Sequence, residues 1–311
     1  MPLHDDELLI ETETVAALIH EQFPRWRDQP VRRIAVAGTV NAIFRIGDGA
    51  AARFPLVAAD PEETTATLAA ESAAMHELAA HATVPTPVPL AIGAPGRGYP
   101  LPWSIQTWIP GEVASPDAAA HSPVFARDLA ALVSALRSAD TRGRVFSGNG
   151  RGGHLPDSDD WLDLCFRESE GLLPVDELRA LWRELRVLPS SGPDVMSHGD
   201  LIPANLLLDG ERLGGVLDGG GFAPADPALD LVSGWHLLDA DARAVFREAL
   251  RSADPSASRD EELVWRRGAA WALQQAMGLV WYYRESHPTM SELGRRTLSR
   301  ILAAPELRRT P

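Results

Sequence analysis

A histidine, a glycine and an aspartate stand in line at residues 198–200, with Asn205 five positions beyond the aspartate and Asp218 after the next predicted hairpin. An aspartate on a short loop between strands can present its carboxylate to a substrate. Asn205 offers a hard cation a neutral oxygen and Asp218 a charged one. That donor pair suits Mg²⁺, which takes few protein oxygens and fills its remaining positions with water and phosphate. Each residue alone also reads as local structure: Asn205 and Asp209 suit turns, and Asp226 before Pro227 suits a helix cap. The spacing of the set carries the chemical reading.

The elements that must position these groups follow from periodicity. Around the loop, short strands are expected at residues 195–197, 206–208 and 213–217. Upstream, a helix at 14–26 precedes strands at 31–37, 42–46 and 50–55. A long helix follows at 60–81, its start marked by Asp60 as cap, Pro61 in the first turn, and Glu62 and Glu63 at the positive end of the dipole. Further strands are expected at 89–93 and 103–108. At Pro110-Gly111 the pattern changes from strands to helices, which are expected at 125–137, 159–170, 175–187, 227–238, 240–250, 260–285 and 290–302. The division drawn from this is 1–109 and 110–311.

Composition narrows the chemistry. The chain has 311 residues, 45% hydrophobic and 23% charged, the profile of a soluble globular protein with material for two lobes. All 29 basic residues are arginine, and 43 acidic residues give a formal charge of −14. Without lysine no Schiff-base enzyme and no G-x-x-x-x-G-K-[ST] phosphate loop can be built. The acidic balance excludes nucleic acid as the expected partner and favours a cationic or neutral small molecule. The single cysteine, Cys165, excludes internal disulfides and cysteine-rich zinc sites. Nine histidines are present, but no H-E-x-x-H pair organises them. No apolar run approaches 18 residues, and the first residues do not read as a signal peptide, so a cytoplasmic protein is expected.

The stretch from Ser197 to Leu231, SHGDLIPANLLLDGERLGGVLDGGGFAPADPALDL, resembles the aminoglycoside phosphotransferase family, a branch of the protein-kinase-like fold. Supporting likeness runs through GTVNAIFR (38–45), ARFPL (52–56), YPLPWSIQTWIPGE (99–112) and GRGG (150–153). The resemblance implies an α+β, bilobal architecture. A small N-terminal antiparallel-sheet lobe with one long helix would bind nucleotide. A larger, mainly helical lobe would carry catalysis and substrate binding.

It also implies roles. Asp200 would be the catalytic aspartate, orienting a substrate hydroxyl and accepting its proton. Asn205 and Asp218 would hold Mg²⁺ against the phosphates of ATP or GTP. His198 would support the loop, and Asp230 would accept the loop's backbone N–H groups. The strand lysine that kinases use on the phosphates is replaced by Arg53, whose guanidinium can grip phosphate with two parallel bonds. Its partner is read from periodicity: Glu71 shares the inward stripe of Leu68, Met75 and Leu78, and a carboxylate there needs a positive neighbour. Backbone around Gly38, Thr39 and Asn41 would touch the phosphates. Residues Gln106, Thr107, Trp108 and Ile109 resemble the family's hinge, whose backbone would bond the base edge.

The chain departs from the kinase pattern twice. Asp218 is followed by Gly219-Gly220-Gly221 rather than phenylalanine and glycine, and Asp200 by Leu201-Ile202-Pro203-Ala204 where many relatives have another histidine and a glycine. Neither change removes a required chemical group.

On the acceptor side, Asp157, Asp159, Asp160, Asp163, Glu168 and Glu170 lie within 14 residues against Arg167 alone. They would attract a polycation if they face a cleft, or form a solvated helix face. Trp281, with Tyr282 and Tyr283, would stack on a ring of the acceptor or pack in the core. The expected activity is phosphoryl transfer to a hydroxyl of an aminoglycoside-like or other cationic antibiotic, conferring resistance, by a monomer or weak homodimer. A kinase of a housekeeping amino alcohol or sugar is the alternative, and a non-catalytic nucleotide-binding protein a third reading.

Overall fold

In the computed structural model, residues 8–34, 41–115, 117, 119–148, 150–253 and 260–307 are described. The chain forms two compact units. The first comprises Met1–Ala80, Pro85–Pro110 and Asp218–Gly221, and the second His81–Val84, Gly111–Leu217 and Phe222–Pro311.

The first unit begins with helix α1 (Thr12–Gln22), followed by strands β1 (Val31–Arg33), β2 (Asn41–Ile46) and β3 (Ala50–Pro55). Helix α2 (Pro61–His81) and strands β4 (Pro89–Gly93) and β5 (Trp103–Thr107) complete it. The five strands make one antiparallel sheet in the order β1-β2-β3-β5-β4. Alternation sorts its faces: Phe44 and Ile46 of β2 and Ala52 and Phe54 of β3 point into a core with Val15, Leu18 and Ile19 of α1. Phe54 stacks on Trp103 at 4.5 Å between ring centroids. Arg53, flanked by Ala52 and Phe54, is thereby turned to the opposite face. Helix α2 starts where Asp60 accepts the N–H groups of Glu62 and Glu63 at 2.8 and 3.1 Å, satisfying donors that the first turn leaves without partners. Leu68, Met75 and Leu78 are its buried stripe.

The helix expected at 14–26 stops four residues earlier. Phe23 leaves helical geometry and Pro24–Trp26 forms a 3₁₀ turn, as proline does when its ring clashes with the preceding turn.

The second unit contains β6 (Glu112–Val113), α3 (Pro123–Arg137), α4 (Asp159–Glu168), α5 (Val175–Leu185) and β7 (Val195–Ser197). Then follow β8 (Leu206–Asp209), β9 (Arg212–Val216), β10 (Ala223–Ala225), α6 (Val232–Leu237), α7 (Ala240–Ala253), α8 (Glu261–Tyr282) and α9 (Pro288–Ala303). β6-β8-β9 form one antiparallel sheet, and β10 pairs with β7 in another. Ser122 caps α3 through the Phe125 N–H and Asp260 caps α8 through the Leu263 N–H, both at 3.1 Å. Helix α8 is the spine of this unit: every residue from Gly268 to Val280 is buried, so a polar side chain placed there needs a partner.

The helix expected at 227–238 is two pieces, a 3₁₀ turn at Leu229–Leu231 and then α6. Asp226 closes the preceding turn by accepting the Ala228 N–H at 2.8 Å. That carboxylate is itself held by Arg267 Nε at 2.9 Å and Trp271 Nε1 at 3.1 Å from α8. Arg267 also donates to the carbonyls of Leu188 and Pro189, both at 2.9 Å. A buried ion pair thus pins the 226–231 turn to the spine helix.

Candidate active site

The loop after β7 is built around two buried side chains. Asp230, 2% exposed, accepts the backbone N–H groups of His198 and Gly199, each at 2.9 Å. Gly199 adopts φ +80, a conformation only glycine reaches without cost, so the chain turns sharply into Asp200. The His198 ring braces the other side. Its Nε2 lies 2.9 Å from the Leu217 carbonyl, while Nδ1 accepts the Asp200 N–H at 3.3 Å, a pattern that assigns the proton to Nε2. The Leu217 N–H in turn donates to the Asn205 carbonyl at 2.7 Å.

Asp200 itself is held by three donors. Asn205 Nδ2 donates to Oδ2 at 3.0 Å and to the Asp200 carbonyl at 2.9 Å. Gln275 Nε2 of α8 and Arg151 Nη2 donate to Oδ1 at 2.8 and 3.1 Å. With its amide nitrogen committed to Asp200, Asn205 keeps its oxygen for another partner. The carboxylate stays 36% exposed. A fixed and accessible carboxylate can orient a hydroxyl and take its proton.

Sequence reasoning brought His198, Asp200, Asn205 and Asp230 to this point but missed Arg151 and Gln275. Arg151 sits inside the glycine-rich 150–153 segment, whose pattern does not show that its arginine reaches Asp200. Gln274-Gln275 is a pair of amides in the middle of a buried helix, and that mismatch was the available signal.

A second cluster lies within the first unit. Arg53 Nη2 donates to Asp218 Oδ1 at 2.8 Å. The arginine expected to pair with Glu71 is thus hydrogen-bonded to the aspartate at position 218. Glu71 remains close enough to feel both charges. Burial pushes its carboxyl above the usual range, with Arg53 opposing and Asp218 adding to the rise. Glu71, Arg53 and Gln106 line a small cavity of about 10 Å³, room for a single water. Asp218 has φ +59, a rare region for a residue with a side chain, and such outliers collect at sites where geometry is over-determined. The glycines behind it have a steric reason. A Cβ on Gly219 would meet Leu78 Cδ2 at 2.2 Å, and one on Gly220 would lie 3.1 Å from Glu71 Cγ. A side chain at Gly219 would require Leu78 of α2 to shift.

Of the expected hinge residues, Gln106 and Thr107 end β5. The Thr107 N–H is spent on the Val88 carbonyl at 2.9 Å and the Trp108 N–H on the Gly49 carbonyl at 3.0 Å. Those two donors are already used within the protein. Arg45 lies over the Trp108 ring at 4.9 Å. Asn41 opens β2 opposite Pro55, while Gly38 and Thr39 lie outside the described residues.

The acidic segment does not form one cluster. Asp159 receives Trp182 Nε1 at 2.9 Å and Arg186 Nε at 2.8 Å, so it ties α4 to α5. Asp163 pairs with Arg179 at 3.3 Å and Asp157 with His154 at 3.2 Å. Asp160 and Glu168 are exposed. Trp281 packs on Trp161 at 6.1 Å and on Tyr282 at 5.7 Å between ring centroids, half-buried at the end of α8. No group of three or more His, Cys, Asp or Glu side chains among the described residues could hold a metal ion.

A family model described as the phosphotransferase enzyme family matches residues 31–271, and the chain belongs to that family. It is similar over 94% of its length, and 99% of the other chain, to the GDP complex of aminoglycoside 2'-phosphotransferase IIIa, with 17% identity and a TM-score of 0.67. The GDP and kanamycin complex of an aminoglycoside 2''-phosphotransferase aligns with 93% of this chain and 98% of its own, at 18% identity and a TM-score of 0.65. A macrolide 2'-phosphotransferase from Brachybacterium faecium, as apoenzyme, aligns with 92% and 97%, at 20% identity and a TM-score of 0.59. A search of curated protein sequences gives no match. The chain therefore has the kinase-like fold of these enzymes: an antiparallel-sheet lobe with one long helix, then a mainly helical lobe. No helix among the described residues is long and apolar enough to cross a membrane.

Proposed function

We propose that the protein transfers the γ-phosphate of ATP or GTP to a hydroxyl of a small-molecule antibiotic, with Asp200 as catalytic aspartate. The observation that carries this reading is the state of that carboxylate. It is held by Asn205, Gln275 and Arg151, still accessible, on a loop fixed by Asp230 and His198. In the reaction the acceptor oxygen forms a bond to phosphorus while the bond from phosphorus to the bridging oxygen breaks. The electron pair leaves on the nucleoside diphosphate, and the hydroxyl proton passes to Asp200.

Residues 1–109 are assigned to nucleotide binding and 110–311 to catalysis and the acceptor. Arg53 would grip phosphate, with Glu71 behind it, and the 106–109 segment would face the base. Donor chemistry fits Mg²⁺: Asn205 keeps a neutral oxygen, and Asp218, with 48% of its side chain exposed, keeps a carboxylate oxygen beyond the one bonded to Arg53. When bound, the ion would neutralise charge developing on the phosphates.

A cationic acceptor remains the favoured class on net charge, −14 over the chain. The relatives named for aminoglycosides and macrolides support an antibiotic over a housekeeping metabolite. With Asp159 spoken for by Arg186, the contact residues proposed are Asp157, Asp160, Glu168 and Trp281. The test is coupled nucleotide turnover against a panel of aminoglycosides, macrolides and basic peptides. A hit should be strongly reduced in Asp200→Asn. Nucleotide binding with no turnover on any acceptor or on water would favour a non-catalytic protein.

A further inference from the structure

The Asp200 carboxylate is tied to the protein interior through a chain of hydrogen bonds that its presumed chemistry does not by itself require. Gln275 Nε2 donates to Asp200 Oδ1 at 2.8 Å, and Gln275 Oε1 lies 3.1 Å from Nε2 of His236. Nδ1 of His236 lies 2.8 Å from the Thr297 hydroxyl. The chain thus runs from α9 through α6 and α8 to the loop. His236 and Thr297 have no exposed surface, so no water competes for these groups.

The donor arithmetic is restrictive. An amide that donates to a carboxylate with its nitrogen must present its oxygen on the other side, and that oxygen only accepts. His236 Nε2 must therefore carry a proton. Burial holds the ring's pKa down at about 4, so the ring is neutral at working pH and Nδ1 accepts. The Thr297 hydroxyl donates to the Leu293 carbonyl at 2.9 Å and lies within reach of Nδ1, so its one proton is shared between two acceptors. The orientation of the Gln275 amide that aims N–H at the Asp200 carboxylate turns its oxygen to the N–H of His236.

Each oxygen of a carboxylate offers two lone-pair sites. On Oδ1 both are filled, by Gln275 and Arg151; on Oδ2 one is filled by Asn205. We infer that Gln275, keyed by His236, is a positioning residue that turns the Asp200 carboxylate so that Oδ2 receives the acceptor's proton. This rests on the reading of Asp200 as the catalytic base. The new bond to phosphorus forms at the hydroxyl oxygen, the diphosphate leaves with the bridging electron pair, and the O–H proton moves to the open site on Oδ2.

Removing a positioning group displaces the base without touching substrate, so the cost falls on kcat. Misplacement by about 1 Å is worth on the order of a hundredfold. The assay measures kcat and KM for phosphoryl transfer from ATP and from GTP to kanamycin and to water, with melting temperature as a folding check. Gln275→Leu should lower kcat ten- to a hundredfold with both KM values within about threefold. His236→Leu should fall similarly, and His236→Gln, which restores an N–H at the Nε2 position, should recover most of the loss. The double variant His236→Leu, Gln275→Leu should be no slower than Gln275→Leu alone, because the histidine acts only through the amide. Multiplying losses in the double variant, or a parent-like kcat in a folded Gln275→Leu, would overturn the proposal. If Gln275→Leu is parent-like while Asp200→Asn is inactive, the base assignment stands and the positioning role falls. Parent-like turnover in Asp200→Asn, or no turnover by the parent protein, overturns the underlying reading and this one with it.

Discussion

Replacing Asp230 by asparagine should loosen the loop after β7. The carboxylate accepts two backbone N–H groups at 2.9 Å from a site 2% exposed. A charge-assisted bond of this kind contributes about 1.5–3 kcal/mol, and a neutral one about 1. Asparagine keeps one accepting oxygen and turns an NH₂ group towards the other N–H. One N–H is left as a buried unpaired donor at a cost of about 1–3 kcal/mol and the other bond is weakened by about 1 kcal/mol, a total of about 2–4 kcal/mol. For a chain of this size, roughly 2 °C of melting temperature accompanies each kcal/mol, so Asp230→Asn should melt about 4–8 °C lower. Turnover should fall as well, since Gly199 and Asp200 lose the clamp that sets their direction. Calorimetry against Asp160→Asn, an exposed aspartate expected to show no measurable change, isolates the effect. Asp230→Asn with a melting temperature within about 1 °C of the parent and unchanged turnover would refute the argument.

Further outcomes follow from other buried groups. Arg267→Met strips Asp226 of its charged partner in a site where the arginine side chain is 5% exposed; breaking such a pair costs about 3–5 kcal/mol, readable as a lowered unfolding midpoint in urea. His236 has its pKa lowered by burial to about 4 from an ordinary 6.5. The unfolded chain therefore takes up a proton before the native state does, and stability is lost as pH falls from 6.5 towards 4. The loss is on the order of 3 kcal/mol, and His236→Gln should show a shallower acid slope in unfolding midpoints than the parent. Cys165 is buried, and burial pushes its thiol up to about 11; it should react with a thiol reagent only after denaturant is added. Gly219→Ala forces a Cβ to 2.2 Å from Leu78 Cδ2, and overpacking of this kind costs about 1–3 kcal/mol, visible as a lowered melting temperature.

Local pattern made much of the first unit legible. Strand β3 matches its expected bounds because alternation and flanking turn residues mark both ends, and the same alternation turned Arg53 away from the aromatic core. Helix α2 was readable from its cap and its stripe. Periodicity also put Glu71 on the inward face, but it carries no information about what arrives from 165 residues away, and so Asp218 took the arginine. The acidic run shows the same limit. Asp159 looks free in sequence because Trp182 and Arg186, which claim it, lie on another helix. In the loop after β7, residues close in sequence define His198, Asp200 and Asn205. Arg151 and Gln275 reach Asp200 over 49 and 75 positions, and only the fold brings them there. The helix expected at 227–238 broke because Asp226 prefers to cap a turn and bind Arg267, a tertiary contact that overrides local propensity.

If Asp200 receives the acceptor's proton as phosphate is transferred, losing its carboxylate must slow the transfer itself. The direct measurement is phosphate incorporation from labelled ATP or GTP into an antibiotic panel, read by mass spectrometry, for the parent and for Asp200→Asn. The parent should add a single phosphate to at least one hydroxyl-bearing acceptor. Asp200→Asn, binding nucleotide as before, should be slower by about 10²–10⁴. Equal rates from the two proteins would contradict that role of Asp200.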